Sequence, residues 1–173
     1  MLKCGIRNIL LQPTHMSFIA TDYINHTAVQ EFTVVSSAAA EARPHLSFMA
    51  WLKEYRTFSI GLPRQVGKTT ALLSVSNEST AIIFPTPLML AYVKRSRPSV
   101  SVGLYDPGSF VEYASSYHMS SNSPKLTQIF MDEFDYIPTH QAEQVMNAIE
   151  MLQHCGGLAD DVFILKVGTP PFC

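Results

Sequence analysis

The residues Leu62-Pro-Arg-Gln-Val-Gly-Lys-Thr69 separate a run that reads as a strand, Arg56-Thr-Phe-Ser-Ile60, from one that reads as a helix, Lys68-Thr-Thr-Ala-Leu-Leu-Ser-Val75. A strand, a loop and a helix in that order aim the N–H groups of a helix N-terminus at the loop, which suits a phosphate. In such a loop Gly67 lets the backbone come close to the phosphate, Lys68 neutralises the β- and γ-oxygens, and the Thr69 hydroxyl holds Mg²⁺. The pattern points to ATP or GTP. It is a variant of GxxxxGK[ST], because Leu62 stands where the first glycine belongs and Gly61 comes one residue early. About sixty residues downstream, Gln128-Ile-Phe-Met-Asp-Glu133 is an apolar run that ends in two acids. At the end of a buried strand, Asp132 would hold Mg²⁺ through water and Glu133 would orient or deprotonate an attacking water. Either motif alone has a plainer reading, and the two acids could simply open a solvated turn. Both motifs in this order, one domain apart, favour hydrolysis.

The elements that must position these residues follow from periodicity. Residues 46–55 place Leu46, Met49, Trp51 and Leu52 at helical spacing and lead into the strand before the loop. Thr80-Ala-Ile-Ile-Phe84 is a short buried strand, followed by a helix with Thr86 as N-cap and Pro87 in its first turn. Residues 99–105 alternate as an edge strand would. Asp106 and Pro107 then open a helix that runs to about Tyr117. Residues 118–125 are a serine-rich loop before the acid-bearing strand. A helix from Pro138 to about His154 buries Ala142, Val145, Met146, Ile149 and Leu152 and stops at Gly156-Gly157. The last strand is Asp161-Val-Phe-Ile-Leu-Lys-Val-Gly168. Strands alternating with helices imply an α/β fold with a mainly parallel sheet and helices on both faces. Residues 1–45 have no assigned role; they include a possible strand at Glu31-Phe-Thr-Val-Val35 and an alanine-rich turn or helix start at 36–42.

Composition bounds the function. The 173 residues are 47% hydrophobic and 15% charged, enough for one domain with its own core. No apolar run is long enough for a membrane span or a leader. Cys4, Cys155 and Cys173 fit neither a disulfide framework nor a zinc site, and the six histidines show no ligand spacing. A formal charge of −2 excludes a strong overall attraction to nucleic acid, so any DNA contact must be local or pooled across an assembly. The densest basic cluster, Lys94-Arg-Ser-Arg97, closes a helix. It reads as a dipole-favoured solvated end, as a DNA-phosphate contact, or as charge offered to a neighbouring subunit.

Leu62-Pro-Arg-Gln-Val-Gly-Lys-Thr-Thr70, Ile129-Phe-Met-Asp-Glu-Phe134 and Val167-Gly-Thr-Pro170 resemble the three ATPase motifs of large terminase subunits, the DNA-packaging motors of tailed phages and their viral relatives. The resemblance covers residues 46–171. It implies a P-loop NTPase of the additional-strand type, in which the strand containing Val162 and Val167 lies between the P-loop strand and the Asp132 strand. Carried over, the nucleotide-binding residues are Pro63, Arg64, Gln65, Val66, Gly67, Lys68, Thr69 and Thr70. Glu133, Arg64 and Lys68 are the catalytic set, with Arg64 sensing phosphate. Thr69 and Asp132 hold Mg²⁺, and Thr169 couples hydrolysis to movement. Phe48 or Trp51 would stack on the base. Arg95, Arg97 or Lys125 would reach a neighbouring subunit's site. The resemblance further implies ATP and Mg²⁺, double-stranded DNA, a portal protein, other terminase subunits, a homo-oligomeric ring and action at the procapsid in the host cytoplasm, away from membranes. The expectation is an ATPase core over 46–173 with no nuclease domain. An AAA-like ATPase of other substrate, or a P-loop module that binds without turnover, are the alternatives.

Overall fold

The computed structural model describes residues 24, 36–63, 66–100, 102–117 and 124–169. The possible strand at 31–35 lies outside them. Two short helices, α1 (Ser37–Ala42) and α2 (Phe48–Tyr55), precede β1 (Thr57–Gly61). Then come α3 (Lys68–Val75), β2 (Thr80–Ile83), α4 (Pro87–Ser96), β3 (Gly103–Tyr105), α5 (Pro107–Ser116), β4 (Leu126–Asp132), α6 (Thr139–His154) and β5 (Leu158–Gly168). Helices α4 and α5 start at the expected caps, Thr86 and Asp106. Ser36, Ser47 and Thr86 each accept a backbone N–H in the first turn, and Asp106 with Ser109 forms a reciprocal capping box.

The five strands form one parallel sheet in the order β1-β5-β4-β2-β3. The last strand therefore inserts between β1 and β4, as expected. Because side chains alternate along a strand, each central strand feeds two cores. Ala81, Ile83, Ile129, Met131, Val162 and Ile164 pack with Trp51 and Leu52 of α2, Phe110 of α5 and Ile149 of α6. Ile82, Phe130, Phe163, Leu165 and Val167 pack on the other face with Ala71 and Leu72 of α3 and Leu90 and Val93 of α4. Helices thus cover both faces. Among the described residues no helix is long and apolar enough to cross a membrane.

Residues 36–45 join this body. Ala39 of α1 is buried, and its carbonyl accepts the Trp51 indole N–H at 2.7 Å. Trp51 is thereby fixed in the core of the α2 face, with Phe48 packed beside it. A Trp51 ring buried in this way has no free face for a base, which corrects that part of the expectation, and Phe48 is half-buried. The strand expected over 99–105 is only three residues long, whereas β5 starts at Leu158, three residues before the expected Asp161.

Candidate functional site at the carboxyl ends of three strands

After β1 the chain passes through Leu62 and Pro63 into the loop, where Arg64 and Gln65 lie outside the described residues. The Leu62 and Val66 side chains are buried in the α3-face core. A leucine can serve where the first glycine was expected because its side chain turns inward while its carbonyl accepts Lys68 Nζ at 3.2 Å. Gly67 has φ +79°, and a β-carbon there would meet no atom of the described residues within 4 Å. Backbone conformation, not crowding, demands glycine at this position. Gly67 is also the N-cap of α3 and offers no side-chain acceptor, so the first-turn N–H groups gain no cap from it.

Lys68 is 4% exposed, with three acceptors for its three protons. Besides Leu62, it donates to Thr169 Oγ1 at 2.7 Å and pairs with Glu133 Oε1 at 2.9 Å. Thr169 in turn donates to Glu133 Oε2 at 3.0 Å. The hydroxyl at the end of β5 therefore bridges the base of α3 and the acid after β4. A phosphate oxygen arriving at Lys68 would exchange with one of these acceptors, and the Glu133 carboxylate is the one that carries the same charge.

Glu133 reaches this position through a left-handed backbone, φ 48°, which is uncommon for a residue with a β-carbon. The turn is locked by Tyr136 N–H donating to Glu133 O at 2.9 Å. Gly168 allows β5 to pass close by, since a β-carbon there would lie 2.1 Å from Asp135 Oδ2. Asp135 and the Leu62 carbonyl are parts of this arrangement that the motifs did not single out. Gly168 was in view, inside the motif Val167-Gly-Thr-Pro170, without the reason that makes it a glycine.

Thr69 donates to Asp132 Oδ2 at 2.5 Å. Asp132 is fully buried, and its other oxygen, Oδ1, has no hydrogen-bond partner among the described residues. Burial is the chief cause that raises its pKa to about 6, and the Glu133 charge adds to it, while the Thr69 hydrogen bond and Lys68 oppose. An orphaned buried carboxylate oxygen beside a hydroxyl is a fitting donor set for Mg²⁺, which takes few protein ligands and keeps water and phosphate oxygens for the rest. No group of three or more His, Cys, Asp or Glu that could hold a metal occurs among the described residues. A cation at Asp132 would accordingly need ligands from water and phosphate.

Of the remaining loop residues, Pro63 is half-buried and Thr70 exposed. The basic candidates lie elsewhere. Lys125 directly precedes β4, so the strand's seven residues separate it from Asp132 by roughly 20 Å at about 3.3 Å per residue. Arg95 and Arg97 end α4, at the edge where β3 begins and opposite the end of the sheet that holds Asp132. All three are exposed. None of the three lies at the end of the sheet that holds Asp132. The chain matches no family model and no curated protein sequence.

Proposed function

We propose that the chain is the ATP-hydrolysing core of a motor that drives double-stranded DNA into a viral procapsid, of the large terminase kind. The observation that carries this reading is the meeting of Lys68, Thr69, Asp132, Glu133 and Thr169 at the carboxyl ends of three adjacent parallel strands. That edge is where open α/β sheets bind their ligands. One ammonium against two carboxylates suits a polyphosphate only when a divalent cation accompanies it.

In the mechanism, Lys68 and the first-turn N–H groups of α3 hold the β- and γ-phosphates. Thr69 and Asp132 would hold Mg²⁺, which supplies charge neutralisation for the developing phosphate oxygens. Glu133, once released from Lys68 by the incoming phosphate, orients the attacking water and accepts its proton. Thr169 touches both Lys68 and Glu133, so it registers which of them is engaged, and β5 carries that information into the sheet. A motor must hold every DNA sequence alike, which calls for backbone phosphate contacts. With a net charge of −2, those contacts must be local and shared among subunits of a ring.

Phosphate release measured with and without double-stranded DNA, across a salt series and with portal protein present, tests this function. The expected result is turnover that DNA stimulates in the assembled state, with stimulation lost steeply as salt rises. Full-rate hydrolysis indifferent to DNA, portal and salt would move the assignment to an ATPase of another substrate.

A further inference from the structure

On the face of the sheet turned away from Asp132 there is a cavity of about 480 Å³. Its floor is Thr57 of β1, Met131 of β4 and Lys166 of β5, and its walls come from α2, α6 and Phe134. The volume falls in the range of small-molecule sites, and an apolar lining with a few converging polar groups is their usual make-up. Lys166 is the unexpected member. It is half-buried on the strand face that otherwise presents Val162 and Ile164 to the core, and its ammonium lies 4.5 Å from the centre of the Phe134 ring. Lys53 converges on the same cavity from α2. Neither lysine forms an ion pair with an acid among the described residues, although Glu143 stands at the rim. Burial, and then the charge of Lys53, hold the Lys166 ammonium below the ordinary lysine range. The nucleotide chemistry proposed above uses neither residue.

We infer that this cavity binds a small organic carboxylate with an apolar body, its carboxylate held between Lys166 and Lys53 and its body laid among Met49, Met131 and Met146. Two cations against one rim acid call for an anion, and burial makes the exchange of a ring face for a carboxylate favourable. Methionine side chains adapt to an apolar body of variable shape. A protein partner is the poorer fit. A stable interface needs on the order of 800 Å² from each side, and the exposed large hydrophobics among the described residues, Leu88, Tyr92, Tyr136 and Met151, lie outside the cavity lining.

The test is titration of the full chain, labelled at its methionine methyl groups, with octanoate and separately with octanol, read by NMR. Saturable shifts at Met49, Met131 and Met146 are expected with octanoate, while Met89 in the opposite core and exposed Met151 stay still. Octanol, Lys166→Met and Lys53→Gln should each weaken binding about tenfold, the size of a lost hydrogen bond to a charged group. The Lys53→Gln variant alters an exposed residue, so its result does not depend on how Lys166→Met folds. The inference is overturned by an absence of saturable shifts with octanoate, by equal affinity for octanol, by shifts as large at Met89 or Met151, or by unchanged affinity in Lys53→Gln.

Discussion

At the scale of single residues, Asp132 carries the clearest conflict between stability and function. A carboxyl that titrates near 6 in the fold and at 3.8 in the open chain is bound to its proton more tightly when folded. Its cost is absent below about pH 4 and grows to about 3 kcal/mol as pH rises through 6. Asp132→Asn should therefore raise the thermal stability of the protein at pH 7.5 without Mg²⁺, with a gain that shrinks towards pH 4. The same variant should lose Mg²⁺-dependent nucleotide binding. Melting curves across pH check the first outcome and titration calorimetry the second; an unchanged or lower melting temperature at pH 7.5 would count against a buried, poorly paired charge. The residues that meet here were legible in the sequence as a lysine and a threonine after a glycine and two acids after an apolar run. Their partners were not. Lys68 and Thr169 stand 101 positions apart, and no local pattern announces that one hydroxyl bridges the lysine and the glutamate.

At the scale of elements, β5 is the connection between the two motifs. Its end is joined to α3 through Thr169 and Lys68, to the turn after β4 through Thr169 and Glu133, and to the loop through Leu62 N–H donating to Gly168 O at 2.9 Å. Thr169→Val keeps the side chain's shape and removes both hydrogen bonds, so it should cost about 1–3 kcal/mol of stability by leaving buried groups unpaired. Thr169→Ser should stay near wild type in denaturant unfolding. Thr169→Ala should still bind ATP and hydrolyse it slowly, yet lose DNA movement in a translocation assay. Equal behaviour of the Val and Ser variants would remove the hydroxyl from the account. Helices α4 and α5 were readable from their caps, Thr86 and Asp106, α6 from its apolar spacing, and α3 from the loop motif that precedes it. The early start of β5 was hidden by Asp160 and Asp161, whose exposed side chains break the apolar pattern while the backbone still extends as strand. Beneath them lies Arg56, nearly fully buried, which donates to the carbonyls of Asp161 and Val162. At β3 the reverse happened, since alternation continued through Ser99 and Val100 where the chain is still turning.

At the scale of the whole molecule, the sheet has its acids and lysine at one edge and Arg95, Arg97 and Lys125 towards the other. A basic residue delivered from a neighbour is worth roughly 10³ to 10⁵ in rate in other NTPases, and a ring is the simplest way for these residues to meet a site. Mixing Lys125→Ala subunits with Lys68→Ala subunits should restore ATPase activity above either alone if Lys125 acts across an interface; no recovery would remove Lys125 from that role. Every such proposal stands on one claim, that the cluster around Lys68 and Glu133 hydrolyses a nucleoside triphosphate. Single-turnover hydrolysis of radiolabelled ATP with Mg²⁺, comparing wild type, Lys68→Ala and Glu133→Gln, tests it most directly. Product is expected from the wild type, ATP bound intact by Glu133→Gln, and neither firm binding nor product with Lys68→Ala. Product formation by Glu133→Gln at the wild-type rate, or none by the assembled wild type with DNA present, would contradict it.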